Sequence, residues 1–242
     1  MPVLSEPPPG GAAGWKRLCA SAVGVVVSPR KTYADLVARP RIFSAWLLAA
    51  AVSAAALGIF LSTERGRTVF VDRQMTTMEA FGYTVSDAAL EWLKTPKPRL
   101  IYIAGQLALI PLTTMAVAVL AIAIFREPGS GVTIAQTAAV VAHSRLVAAL
   151  TTLVAAPLNY ARETMSNPTN LSALTPMLDD TSFAARLLGS LDLFRLWWIV
   201  NLSIGFSVLF KRPAGRFAWV LIGVYAALAV VLAGAMFVFS GA

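Results

Sequence analysis

Leu191 to Phe210 reads LDLFRLWWIVNLSIGFSVLF, and this stretch decides the fold. It is long enough to cross a bilayer as one helix at about 1.5 Å per residue, yet it carries Asp192, Arg195, Asn201, Ser203 and Ser207. Polar groups in hydrocarbon survive where other helices cover them. On a helical wheel Asp192, Ser203 and Ser207 share one face, and Trp198, Asn201 and Gly205 lie roughly opposite. A helix with polar or small residues on both sides needs neighbours on both sides, so the spacing predicts a central position in a bundle.

Composition agrees. The chain has 242 residues, 57% of them hydrophobic and 13% charged, and a mean hydropathy of +0.71. That balance belongs to an integral membrane protein rather than an average soluble domain. The net charge of +8 sits at the ends of apolar runs instead of in a basic stripe interleaved with aromatics, which argues against nucleic acid and for topology signals. One cysteine, Cys19, excludes an internal disulfide, and one histidine, His143, leaves no plausible zinc set.

Five runs can cross a membrane, at about 43–62, 100–125, 132–156, 191–210 and 217–239, and the expected fold is an all-α polytopic bundle. Residues 1–14, rich in Pro and Gly, read as a disordered tail. Residues 15–41 read as interfacial helices. Leu18 to Val27 is apolar but too short to span, with Trp15 as an anchor, and its A-x-A pattern lies at the wrong end for signal cleavage. Ser28-Pro29 opens a second short helix that Pro40 stops, with Lys31 and Asp35 outward and Tyr33, Leu36 and Val37 on another side.

Basic residues flank the runs unevenly. Lys16, Arg17, Arg30, Lys31, Arg39, Arg41, Arg126, Lys211, Arg212 and Arg216 share one side if the spans alternate. That predicts a cytoplasmic N-terminus and an external C-terminus, with outer loops at 63–99 and 157–190. In the first of these, Val71, Met75 and Met78 have helical spacing, and Ser86 caps a second short helix reaching Lys94. In the second, Asp179 and Asp180 read as a solvated turn in preference to a weak cation site.

Three stretches carry a family resemblance: GSLDLFRLWW at 189–198, Ser28-Pro29-Arg30-Lys31-Thr32-Tyr33 continuing to Arg39-Pro40, and Asn167-Pro168-Thr169. Together they resemble the bacterial branch of the Yip (Ypt/Rab-interacting protein) domain family of polytopic membrane proteins. The resemblance implies a cytoplasmic N-terminus, residence in the bacterial inner membrane, and a non-enzymatic adaptor that binds other membrane proteins.

No catalytic pattern stands in the chain. There is no His-Glu-x-x-His, no Gly-x-Ser-x-Gly and no phosphate-binding glycine loop, and Gly129-Ser130-Gly131 reads as a tight turn. An enzyme, and with it a cofactor or metal, is not expected. The notable polar residues are those at mid-span depth: Arg145 and His143 in the third run, Asn201 in the fourth, and Gln106 and Pro111 in the second. Pro111 frees the Leu107 carbonyl, which Arg145 could hold together with Asn201 and Gln106 as a clasp between spans. The functional alternative is a cavity whose positive centre receives an anionic group. Asp192 lies nearer the end of its run, where pairing with Arg195 at the outer interface is expected.

Two functions follow from different classes. One is the adaptor, with small-residue stretches Ala49–Ala56 and Ala226–Gly234 as packing surfaces for other integral membrane proteins, membrane lipids or a second copy of the chain. The other is a transporter or channel for an anionic solute or lipid built around Arg145, although five spans do not divide into an inverted repeat.

Overall fold

The computed structural model describes residues 11–163, 165, 169–175, 177–179 and 182–239. Among them are ten α-helices and one 3-10 helix, Leu171–Leu174. In chain order the α-helices are α1 (Gly11–Val27), α2 (Pro29–Ala38), α3 (Phe43–Ser62), α4 (Glu64–Ala80), α5 (Asp87–Lys94), α6 (Pro96–Phe125), α7 (Ile134–Arg162), α8 (Phe183–Ser190), α9 (Leu193–Phe210) and α10 (Ala214–Phe239). Five of these, α3, α6, α7, α9 and α10, are long and apolar enough to cross a membrane.

Local chemistry sets most of the boundaries. Ser86 accepts the Ala89 N–H to start α5, and Thr133 and Gln136 form a reciprocal capping box at the start of α7. The α6–α7 connection turns at Gly129 and Gly131, whose φ values of +80° and +67° are conformations that glycine adopts without Cβ strain. Proline is less decisive inside these helices. α7 runs on through Pro157 to Arg162, past the expected end at Ala156, and α6 begins at Pro96, ahead of the expected start at Leu100, because proline fits a first helical position.

The bundle has two distinct ends. At one, Phe125 closing α6, Phe206 and Phe210 of α9 and Phe217 of α10 form an aromatic cluster, with Phe125 and Phe217 4.9 Å apart edge to face. An Arg212–Glu127 ion pair joins the two connections there. At the other end α4 folds back on α3, burying Val69 and Phe70 against Phe60 and Leu61, and Arg99 donates to the Leu61 carbonyl at 3.0 Å. The buried face of α4 is thus Val69 and Phe70, while Val71, Met75 and Met78 are half-buried beside it.

α7 is the most enclosed helix, in contact with α3, α6 and α9 as well as α1 and α2. Its small residues Ala138, Ala139, Ala142 and Ser144 allow that close approach. α9 has neighbours on both sides: α7 and α2 cover the Trp198, Asn201 and Gly205 side, and α10 covers another. At Gly205 a Cβ would stand 2.5 Å from Val140 Cγ1 and 3.2 Å from the Tyr33 ring, so the absent side chain is what lets three helices meet.

Three parts of the chain depart from the sequence-based expectation. Helix α1 begins at Gly11, so 11–14 are helical; the rest of the expected tail, 1–10, lies outside the described residues, as does the Trp15 side chain. The α1–α2 pair keeps Lys31 and Asp35 exposed but buries Val25, Tyr33 and Leu36 in the main core against α7 and α9. Ser28 precedes α2 without a side-chain cap. Last, the region expected as a loop at 157–190 contains α8, which a two-residue interruption at Leu191 and Asp192 separates from α9, the expected fourth span.

That interruption is defined by hydrogen bonds. α8 starts beside the last turns of α10, with Phe183 and Phe237 rings 6.4 Å apart and Arg186 donating to the Met236 carbonyl. It stops at Ser190, the chain extends through Leu191 and Asp192, and α9 begins at Leu193. The backbone groups released at the break find partners in a neighbouring extended segment and in α10. Leu171 N–H donates to the Leu191 carbonyl (2.9 Å), Leu193 N–H to the Thr169 carbonyl (3.1 Å), Asp192 N–H to the Tyr225 hydroxyl (2.9 Å), and that hydroxyl to the Ser190 carbonyl (2.8 Å). Buried irregular backbone persists only when its polar groups are satisfied in this way.

Candidate functional site

The polar residues named from sequence divide into two groups. Asn201 belongs to the first. Its side-chain amide donates to the Val25 carbonyl at 2.7 Å and its Oδ1 accepts from the Tyr33 hydroxyl, which fastens α1 and α2 to α9. His143 is buried, with Nδ1 2.9 Å from the Ala139 carbonyl one turn back in its own helix. Pro111 is half-buried inside α6. Of these three, Asn201 is the one whose hydrogen bonds join helices, while the His143 contact stays within α7.

Arg145, Gln106, Asp192 and Arg195 belong to the second group, because all four line one cavity of about 780 Å³. Its floor comes from α7 and α9, its walls from α6 and α10, and one corner from α3. Leu109, Ile110, Val117, Val224 and Leu228 make most of the lining apolar, and Thr113, Thr151 and Thr152 add hydroxyls. The Phe125–Phe217 contact closes the gap between α6 and α10 at one end. Farther along, Leu120 on α6 and Val224 and Leu228 on α10 line the cavity and remain 58%, 51% and 63% exposed, so the cavity opens sideways between the two helices.

Arg145 stands eleven residues beyond the first residue of α7, about 16 Å along a helix of 29 residues. Among the described residues no hydrogen bond or ion pair reaches its guanidinium, so the expected clasp with Asn201, Gln106 and the Leu107 carbonyl is absent from them. The reason is the docking of α1 and α2, which occupies Asn201 on another side of α9. The guanidinium is half-buried and faces the cavity.

Asp192 and Arg195 also differ from expectation. Their recorded contact runs through the backbone: Asp192 Oδ1 accepts the Arg195 N–H at 2.6 Å and caps α9, while the Thr169 hydroxyl donates to Oδ2. The Arg195 guanidinium lies over the Tyr225 ring, 5.8 Å from its centroid. The pair does not mark an end of the bundle. Fourteen residues of α10, about 21 Å, continue past Tyr225, and α8 packs along them. Asp192 is 5% exposed.

One residue of this arrangement, Tyr225, was not anticipated from sequence, and Trp198, expected beside Asn201 and Gly205 on a packed face, has a specific partner. Tyr225 is a hydroxyl-bearing aromatic near the middle of an otherwise apolar span, which is itself a legible signal. Trp198 donates from Nε1 to Ser144 Oγ at 2.9 Å and sets the register of α9 on α7. Of the expected acidic pair Asp179 and Asp180, Asp180 lies outside the described residues, as do Asn167 and Pro168. Among the described residues no three His, Cys, Asp or Glu side chains gather as a metal site.

Compared with known protein families, curated proteins and solved structures, the chain matches none of them.

Proposed function

We propose that this chain is a non-enzymatic integral membrane protein whose cleft receives an anionic solute or lipid, in the manner of a transporter or channel. The observation that carries this reading is the Arg145 guanidinium, near mid-span and facing a cavity without a hydrogen-bond partner among the described residues. A cation in hydrocarbon is costly, and it is retained where it faces water, a counter-charge or a ligand. The test is reconstitution: purified protein in liposomes should move a reporter anion or a fluorescent anionic lipid, and Arg145→Leu should abolish the movement. Wild-type liposomes no faster than empty ones would refute it.

A second reading is the adaptor that the Yip resemblance implies, with other integral membrane proteins as partners. One observation favours it. Two of the stretches that carry the resemblance touch, Thr169 bonding Asp192 within 189–198, and Tyr33 of the stretch at 28–40 bonds Asn201, three residues past Trp198. Recovery of one stoichiometric partner from native membranes, together with inert liposomes, would favour this reading over the transporter. For both readings we propose the bacterial inner membrane, with α1 and α2 on the cytoplasmic side and the C-terminus outside, on the bias of Lys and Arg toward that end.

A further inference from the structure

We infer that the occupant of the cleft is one acidic phospholipid with a singly charged phosphodiester headgroup, entering sideways between α6 and α10. The inference rests on the proposed anion site and names its ligand class. Three observations carry it.

The first is charge. Among the described residues the ionic groups lining the cavity are Arg145, Arg195 and Asp192, which leaves one net positive charge in apolar surroundings. A single negative charge neutralises it, whereas a dianion would leave an uncompensated charge where desolvation is most costly. Asp192 already caps α9 and Arg195 lies on the Tyr225 ring, so Arg145 supplies the open donor fork. A guanidinium fork matches two phosphate oxygens in one plane.

The second is the route. A small hydrophilic ion would need a watery path along the bundle, and at one end four phenylalanine rings fill that path. The open side instead runs between α6 and α10, where Leu120, Val224 and Leu228 line the cavity and are exposed to the surroundings of the bundle. An amphiphile can pass there with its chains still in hydrocarbon.

The third is size. About 780 Å³ falls within the range that holds a compact ligand. It suits a headgroup, the glycerol and the first methylenes, and the remaining chain lies along the apolar walls and out through the side opening.

The experiment uses the purified full chain in nanodiscs of phosphatidylcholine doped with equal small fractions of phosphatidylglycerol, phosphatidic acid and oleate. Native mass spectrometry after transfer to mild detergent reads which lipid stays bound. One phosphatidylglycerol per chain should be retained, with about tenfold preference over phosphatidylcholine. Arg145→Gln should lose that preference and Arg145→Lys should keep part of it. Val224→Trp leaves both arginines in place and narrows the opening, and it should slow lipid exchange in a protein whose thermal unfolding is unchanged. Preferential retention of phosphatidic acid would overturn the single-charge assignment, and equal retention of oleate the phosphodiester; both outcomes leave the anion site standing. No anionic lipid held above phosphatidylcholine, with a soluble anion still transported, would overturn the lipid and keep the proposed function. Neither binding nor transport of any anion would overturn both.

Discussion

Tyr33 of α2 donates its hydroxyl hydrogen to Asn201 Oδ1 of α9, joining residues 168 positions apart. The same asparagine donates to the Val25 carbonyl at the end of α1. One buried side chain therefore locks both amino-terminal helices to the fourth span, and Tyr33, Leu36 and Val25 are fully buried as a consequence. The cleft depends on this lock, because Asn201 is engaged on that side and Arg145 is left to face the cavity.

Removing the lock should be measurable. Tyr33→Phe preserves the ring that fills the space beside Gly205 and removes the donor, so it should cost about 1 kcal/mol in thermal unfolding of the detergent-solubilised protein. Asn201→Leu should cost more, since it strands both the Tyr33 hydroxyl and the Val25 carbonyl. The double variant should be less destabilised than the sum of the two single ones. Additive losses would mean that the bond contributes nothing.

The same hydroxyl predicts a pH dependence. Burial pushes the Tyr33 phenol above its ordinary value of 10.0, so the folded protein keeps the proton when the unfolded chain has lost it. The stabilisation from the neutral phenol is complete below pH 10 and diminishes as pH rises beyond that value. Unfolding temperature plotted against pH should therefore fall more steeply above pH 10 for the wild type than for Tyr33→Phe. Parallel curves would contradict the burial of this group in solution.

Much of the architecture was legible because it follows from local rules. α3 ends where the apolar run ends, α5 starts at its serine cap, and α2 turns Tyr33 and Leu36 inward as its periodicity requires. The break between α8 and α9 also had signals, since Ser182 and Asp192 are both cap-forming residues and each accepts an N–H three residues on. They were obscured by the apolar run that begins at Leu191. Site residues Arg145, Gln106, Asp192 and Arg195 stood out as polar groups in apolar stretches. Their grouping did not, because the partner of Asn201 is set by how α2 docks, and no spacing within either segment encodes that contact.

Gly205 gives a packing test. Gly205→Ala places a methyl against Val140 and the Tyr33 ring, so it should destabilise the protein by about 1–3 kcal/mol and loosen α2 first. Proteolysis in the connection at residues 39–42 reports that loosening. The matching change Gly223→Ala, where nothing lies within 4 Å of the added carbon, should leave unfolding unchanged. Equal behaviour of the two would remove the case for a three-helix contact at Gly205.

The orientation can be tested with single cysteines in a Cys19→Ser background. Lys31 and Ser130 are exposed at the basic end, and Thr84 and Met177 are exposed at the other. An impermeant thiol reagent added to intact cells should label Thr84→Cys and Met177→Cys, and label Lys31→Cys and Ser130→Cys only after lysis. The reverse pattern would invert the assigned topology while leaving the bundle itself unaffected.

Asp192 allows its two roles to be separated. As the cap of α9 it can be replaced by asparagine, which still accepts the Arg195 N–H, whereas Asp192→Ala loses the cap and should cost about 1 kcal/mol. As the one acid that lines the cavity among the described residues it holds their net charge there at one positive, and asparagine raises that to two. Asp192→Asn should therefore fold almost as stably as the wild type and move the bound-lipid preference from phosphatidylglycerol toward phosphatidic acid, whose phosphate can carry a second charge. Asp192→Glu restores the charge but lengthens the side chain, so it should keep the original preference with a weaker cap. An unchanged preference in Asp192→Asn would show that this carboxylate acts through its structural hydrogen bonds, and that the charge balance of the cleft is set elsewhere.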